Sequence, residues 1–244
     1  MIPDLKDLLF PPSSPPGVWL LLDPDAQEPE ELAQTAAEAE EAGVSAILIG
    51  GSFIDHDGFD EAVKAVKGRV QRPVLLFPGG SRQISRHADG VLFMSLLSGR
   101  NPQFLIGEQV MAAPLIKRLG IPVLSMAYLL IESGVVTSAE FVSDTKPIPR
   151  DKPKFAAAHA MAAELFGMQA VYLEAGSGAK LPVPEEMIRL VSKSVEIPII
   201  VGGGITTHEL ALKAAKAGAK AIVVGTAVER NGAGVLREMV QAVL

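Results

Sequence analysis

Short apolar runs rich in β-branched residues alternate with longer amphipathic ones along the whole chain, and few folds tolerate that rhythm. Residues 18–22, 46–49, 73–77, 90–94, 122–127, 170–174, 198–201 and 220–224 read as strands. Residues 30–42, 59–67, 103–119, 154–166, 184–194, 207–217 and 234–244 read as helices. Gly43, Gly120, Gly167 and Gly218 stand where four of those helices should stop. The phrases Gly-Ile-Pro-Val at 120–123 and Glu-Ile-Pro-Ile at 196–199 mark joins from helix to strand. A repeated strand-then-helix unit implies a parallel sheet. Eight such strands imply a closed (β/α)8 TIM barrel of the α/β class. The 244 residues match one such barrel, so 1–244 is read as a single domain.

Two stretches break the rhythm. Residues 78–89, between strands 3 and 4, are too short and too rich in Gly and polar residues for a regular helix. The barrel is therefore expected to be modified, with its third helix missing or remodelled. Residues 128–153 form a long connection after strand 5, and long ordered loops in compact domains often serve function.

Composition excludes several roles. Hydrophobic residues make up 48% of the chain, enough for a full core. A net charge of −6 argues against nucleic acid as the main partner. Without cysteine there are no disulfides and no thiolate metal sites. No apolar run reaches the ~20 residues of a membrane span. Residues 1–16 carry acids and prolines rather than a signal-peptide pattern, so a cytoplasmic protein is expected.

In this fold, chemistry sits where strands end and helices begin. Strand 7 runs into Gly202-Gly203-Gly204-Ile205 and strand 8 into Gly225-Thr226. Glycines let the backbone approach a ligand, and helix N-termini offer free N–H groups to an anion. Two such turns on adjacent strands point to a phosphate, where a single one would read equally as a tight turn. Strand 6 ends in Tyr172-Leu173-Glu174-Ala175-Gly176-Ser177-Gly178. Alternation puts Tyr172 and Glu174 on one side, and Ser177 with its glycines adds donors for a polyol phosphate. The other reading of Glu174 is a buried ion pair with a lysine. Asp23 ends strand 1 and Ser52 ends strand 2, so the two could meet. A carboxylate and a hydroxyl make a sparse site that suits Mg²⁺, which keeps waters and is completed by phosphates. On spacing alone Asp23 or Asp25 suits a helix cap better than a metal, and both roles can hold if the two aspartates divide them. Arg100 suits either a helix start before Pro102 or a second anion site. His56, His87, His159 and His208 have no ligand spacing and read as structural or surface residues.

These strand-end motifs, in this order, resemble the geranylgeranylglyceryl phosphate synthase family. The matching pieces are Leu-Leu-Asp-Pro-Asp at 21–25, Ile-Gly-Gly-Ser at 49–52 and Tyr-Leu-Glu-Ala-Gly-Ser-Gly at 172–178. Gly-Gly-Gly-Ile at 202–205 and Val-Gly-Thr at 224–226 follow. The segment 96–107 is similar to the family's second group, related to heptaprenylglyceryl phosphate synthases. The resemblance runs from about Asp4 to Leu244. It implies a prenyl groove where the third helix is lost. It implies Mg²⁺ on Asp23 and Ser52. It implies sn-glycerol 1-phosphate on Tyr172, Glu174, Ala175, Gly176, Ser177 and Gly178, with Gly203, Gly204, Gly225 and Thr226 completing the pocket. The family often has lysine after Asp-Pro-Asp; here Ala26 stands there.

The expected activity is that of a Mg²⁺-dependent prenyltransferase of ether-lipid biosynthesis. It would join sn-glycerol 1-phosphate to a long prenyl diphosphate, geranylgeranyl diphosphate first among them, with Glu174 as catalytic base and diphosphate released. The product would pass to membrane phospholipid, and a homo-oligomer is the expected assembly. Two other readings remain: another phosphate-binding barrel enzyme, or a catalytically silent phosphate-binding regulator.

Overall fold

The computed structural model describes residues 4–55 and 57–244. Eight parallel strands close into a barrel in sequence order. They are β1 (Gly17–Leu22), β2 (Ala46–Ile49), β3 (Val74–Leu76), β4 (Gly90–Leu96), β5 (Val123–Leu130), β6 (Ala170–Glu174), β7 (Ile199–Gly202) and β8 (Ala221–Val224). The ring closes where Gly17 of β1 registers with Ala221 of β8. The expected TIM barrel is therefore present.

Strand alternation sorts the side chains into two layers. Trp19, Leu48, Leu75, Met126, Tyr172 and Val223 fill the barrel interior. Their sequence neighbours, such as Leu20, Ile47, Leu173 and Ile222, face the helices. Nearly all are buried, so each strand reads as a continuous apolar run, as a sheet covered on both faces requires.

The outer ring consists of α2 (Pro29–Ala42), α3 (Phe59–Arg69), α4 (Glu108–Leu119), α6 (Pro153–Leu165), α7 (Glu185–Ser194), α8 (His208–Ala217) and α10 (Val235–Val243). Alanines at the contact faces of α2, α6 and α8 let these helices pack close on the sheet. Residues 78–89 contain no helix, as the sequence led us to expect. Lys67 on α3 instead ties to Asp89 at 2.8 Å, and Asp89 also accepts from the Val74 amide.

The structure adds three short helices that the sequence pattern did not reveal: α1 (Leu5–Leu9), α5 (Ser138–Ser143) and α9 (Thr226–Asn231). Each is shorter than two turns, too short for a 3.6-residue period to register. Asp4 caps α1 through the Lys6 amide at 3.0 Å, and Leu5 packs into the barrel interior. The connection expected over 128–153 is partly strand, since β5 runs on to Leu130. It is also partly the helix α5, capped by Thr137. The helix read over 103–119 starts with a wide π-helical turn at Gln103–Gly107 before α4 proper. No helix among the described residues is long and apolar enough to cross a membrane.

Candidate active site

β6 delivers Glu174 to the C-terminal mouth of the barrel, level with Leu130 on one side and Gly202 on the other. The chain then turns sharply, with Gly176 at φ 98° and Gly203 of the facing turn at φ 81°. Glu174 Oε1 accepts from the Gly176 amide at 2.5 Å. A β-carbon on Gly203 would collide with that same oxygen, and one on Gly176 would collide with Thr137. Glycine is thus demanded at both positions by sterics as well as by backbone angle.

Glu174 is 5% exposed. Burial pushes its carboxyl up from 4.5 to about 7, while the Gly176 amide and the nearby Tyr172 hydroxyl pull it back. The Tyr172 hydroxyl is itself buried beside that carboxyl, without a well-aligned hydrogen-bond partner. Burial, reinforced by the Glu174 charge, raises the Tyr172 phenol well above its usual value. The alternative of a lysine ion pair is not what the structure displays: the groups that shift Glu174 are an amide and a phenol.

One polar pocket brings together Tyr172, Glu174, Gly176, Ser177 and Gly178 with the turns at Gly203, Gly204, Gly225 and Thr226. Ala175, expected in the same pocket, is not among the residues that line it. Its side chain is 1% exposed in the layer between sheet and helices, because strand alternation turns it away from the mouth. Its amide donates to Gly202 O at 3.0 Å and so ties the two turns together. After β8, α9 starts at Thr226; a short extra helix after strand 8 is a recurrent part of phosphate sites in this fold.

Asp23 and Ser52 line the same pocket. Asp23 Oδ1 lies 3.2 Å from where a β-carbon on Gly51 would stand, so the carboxylate sits against the backbone just before Ser52. The capping alternative does not hold. Helix α2 begins after Glu28 with no side-chain cap, Asp23 closes its own turn through the Asp25 amide, and Asp25 reaches the Asp55 amide. Gln83, 7% exposed, staples this corner. It accepts from the Gly51 and Gly79 amides and donates to Gly51 O at 2.8 Å.

Two charged pocket residues carried no signal in the sequence, Glu229 and Arg230 on α9. Desolvation at the rim, then the charge of Asp23, raises the Glu229 carboxyl, and Arg230 works against both. A carboxylate, a hydroxyl and surplus negative charge among hard oxygens fit Mg²⁺. No group of three His, Cys, Asp or Glu side chains gathers among the described residues, so such an ion would rely on waters and substrate oxygens.

Beside the polar pocket lies a second, mainly apolar cavity. It occupies the place of the lost helix, between the 77–84 connection, β4 and α4. Val91, Phe93, Met94, Phe104, Ala112 and Ile116 form its walls. Glu108 holds the helix-free connection through the Ser81 amide at 2.6 Å. From above, α5 contributes Ala139 and Val142. The long connection after β5 is thus part of the site, and Asn101 anchors it by donating to Ser143 O at 2.8 Å.

Arg100 serves its own loop, donating to Gly99 O and Ser98 O. His87 faces Asp60, His159 meets Phe155 O, and His208 lies between Glu209 and Glu238. His56 lies outside the described residues.

Known proteins resemble this chain in sequence and in fold. The model of the PcrB family matches residues 18–243. A geranylgeranylglyceryl phosphate synthase from Thermococcus kodakarensis is 51% identical over 88% of this chain and 84% of its own. One from Chitinophaga pinensis is 45% identical over 92% of this chain and 88% of its own. A crystal structure of (S)-3-O-geranylgeranylglyceryl phosphate synthase from Thermoplasma acidophilum, in complex with its substrate sn-glycerol-1-phosphate, superposes with a TM-score of 0.92. It shares 40% identity, and 98% of each chain is covered.

Proposed function

The chain belongs to the PcrB family, and we propose that its two adjoining cavities carry out one reaction, ether formation between sn-glycerol 1-phosphate and geranylgeranyl diphosphate. The chain is a prenyltransferase of the geranylgeranylglyceryl phosphate synthase type. The observation that carries the substrate assignment is the wall that the polar pocket and the apolar cavity have in common. Gly51, Ser52, Phe77, Tyr128 and Ala139 line both. A substrate with an anionic head and a long hydrocarbon tail needs such a pair of spaces.

The glycerol phosphate is held by its phosphate at Gly203, Gly204, Gly225 and Thr226, where backbone N–H groups and the start of α9 offer donors. Glu174 hydrogen-bonds the glycerol hydroxyls at the other end. With a carboxyl near 7, it is matched to accepting a proton at neutral pH. The hydroxyl oxygen attacks C1 of the prenyl chain, the C1–oxygen bond to diphosphate breaks, and the hydroxyl proton passes to Glu174. Asp23 and Ser52 would hold Mg²⁺, with Glu229 close by. That ion, when bound, would neutralise charge on the diphosphate. The tail lies along β4 and α4, out of water.

A homo-oligomer is part of the proposal. Val110 and Met111 on α4, with Phe155 and Leu165 on α6, leave apolar surface exposed, which supports self-association. A cytoplasmic enzyme handing its product to membrane phospholipid fits the same reading.

The test is direct. The protein is incubated with sn-glycerol 1-phosphate, Mg²⁺ and prenyl diphosphates of ten to thirty-five carbons, and lipid-soluble phosphate and free diphosphate are measured. Stoichiometric ether product with the twenty-carbon donor is expected. Absence of product with every donor would exclude prenyl transfer and favour the silent regulator.

A further inference from the structure

We propose that the rings of Phe77 and Tyr128 form the walls that stabilise the allylic cation at C1 of the prenyl diphosphate; this rests on the prenyl-transfer reading above. The diphosphate needs polar partners and the tail needs the apolar cavity, so the carbon joining them must sit at the wall common to both spaces. Five described residues make that wall, and only Phe77 and Tyr128 among them are aromatic.

The fold puts both rings there by the same rule that fills the barrel. Phe77 follows β3 and is fixed by its amide, which donates to Ile49 O at 2.8 Å. Tyr128 sits on β5 in register with Leu96 and with Tyr172. Both pack on the interior core as its upper layer. Their ring centroids are 6.1 Å apart with planes inclined at 54°. Tyr172 closes the triangle, 5.4 Å from each. Three rings thus roof the barrel beneath the point where the pockets meet, with Glu174 adjacent on β6.

The chemistry favours aromatic walls at this point. When the C1–oxygen bond breaks, diphosphate leaves with the electron pair and C1 carries positive charge shared along the allyl group. A ring face is negative and attracts a cation within ~6 Å of its centroid. An aliphatic wall would offer no such negative face. Burial and the Glu174 charge hold the Tyr128 phenol well above its usual value, so it stays a neutral hydroxyl. The glycerol hydroxyl oxygen then bonds to C1, and its proton goes to Glu174.

The experiment replaces Phe77 in the full-length protein with mono-, di- and trifluorophenylalanine, which keep the ring's shape while draining its negative face. Single-turnover rates of ether formation are measured with sn-glycerol 1-phosphate and geranylgeranyl diphosphate. The rate is expected to fall stepwise with each fluorine, about tenfold across the series, with the KM for glycerol phosphate within about twofold of the parent. Tyr128→Leu should be at least about fivefold slower than Tyr128→Phe in the same assay. A flat fluorine series, or equal rates for the two Tyr128 variants, overturns the cation-stabilising role while leaving prenyl transfer intact. A parent protein that forms no ether product overturns both.

Discussion

Glu174 Oε1 accepts the Gly176 amide at 2.5 Å, so the carboxylate at the end of β6 is held by the turn that its own strand makes. The bond fixes a buried carboxyl in place without supplying the opposite charge that would keep it ionised. An amide can hold the group for catalysis while burial tunes it toward neutrality, whereas a lysine would have locked it as an anion.

Substitution of Glu174 by Gln should therefore separate activity from stability. It keeps the shape and removes the proton acceptor, and turnover should fall by about 10²–10⁴-fold. The folded carboxyl at about 7 lies above its ordinary 4.5, so the native state retains a proton that the unfolded chain has released. This contribution is fully present below about pH 4.5 and is lost as pH rises through 7. The gap corresponds to about 3 kcal/mol by linkage. Urea unfolding from pH 4.5 to 8 should show this decline in the parent and a flatter profile in Glu174→Gln. A decline of equal size in both would assign it to other groups.

Gly203→Ala should fail for a steric reason. Its φ of 81° disfavours any side chain, and the new β-carbon would strike Glu174 and the Gly176 amide. A loss of about 1–3 kcal/mol in unfolding free energy is expected, with at least tenfold weaker glycerol phosphate binding by calorimetry. Unchanged affinity would remove this turn from the phosphate site.

Most of the barrel was legible in the sequence because strand periodicity and glycine or proline joins are local signals. β2 and β6 emerge with the expected ends, and the broken stretch at 78–89 gave away the missing helix. The pocket motifs were legible for the same reason, each lying at one strand end. What stayed hidden depends on neighbours distant in the chain. Phe77 and Tyr128 meet only once β3 and β5 are placed around the ring, and Gln83 matters only because Gly51 and Gly79 converge on it. Glu229 and Arg230 lie on a six-residue helix that carries no readable period. Ala175 belonged to a motif yet points away, which one residue of alternation decides.

Gln83→Leu should act at a distance from the chemistry. It removes three hydrogen bonds from a nearly buried corner and leaves the Gly51 and Gly79 amides unpaired. The cost should be about 1–3 kcal/mol of stability. Because Gly51 precedes Ser52, the Mg²⁺ concentration for half-maximal activity should rise several-fold. Direct Mn²⁺ binding, followed by electron paramagnetic resonance as a proxy for Mg²⁺, should weaken in parallel. An unchanged metal response would detach this corner from metal binding.

Ala112→Phe should shorten the donor that the cavity accepts. Ala112 is buried on α4 and lines the apolar space. A phenyl group there fills volume the tail needs, so kcat/KM for the twenty-carbon donor should fall at least tenfold more than for the ten-carbon donor. An identical donor profile would place the tail elsewhere.

The most direct test compares the parent protein's rates with sn-glycerol 1-phosphate and sn-glycerol 3-phosphate, using geranylgeranyl diphosphate as donor. In the proposed site, a phosphate held at Gly203, Gly204, Gly225 and Thr226 and the carboxyl of Glu174 would read the glycerol centre from both ends. The wrong enantiomer leaves a buried polar group unpaired, at a cost of about 1–3 kcal/mol. The expected result is a preference of at least about tenfold for sn-glycerol 1-phosphate in kcat/KM. Equal rates with the two enantiomers would contradict the assignment of Glu174 and the glycine turns to one acceptor site.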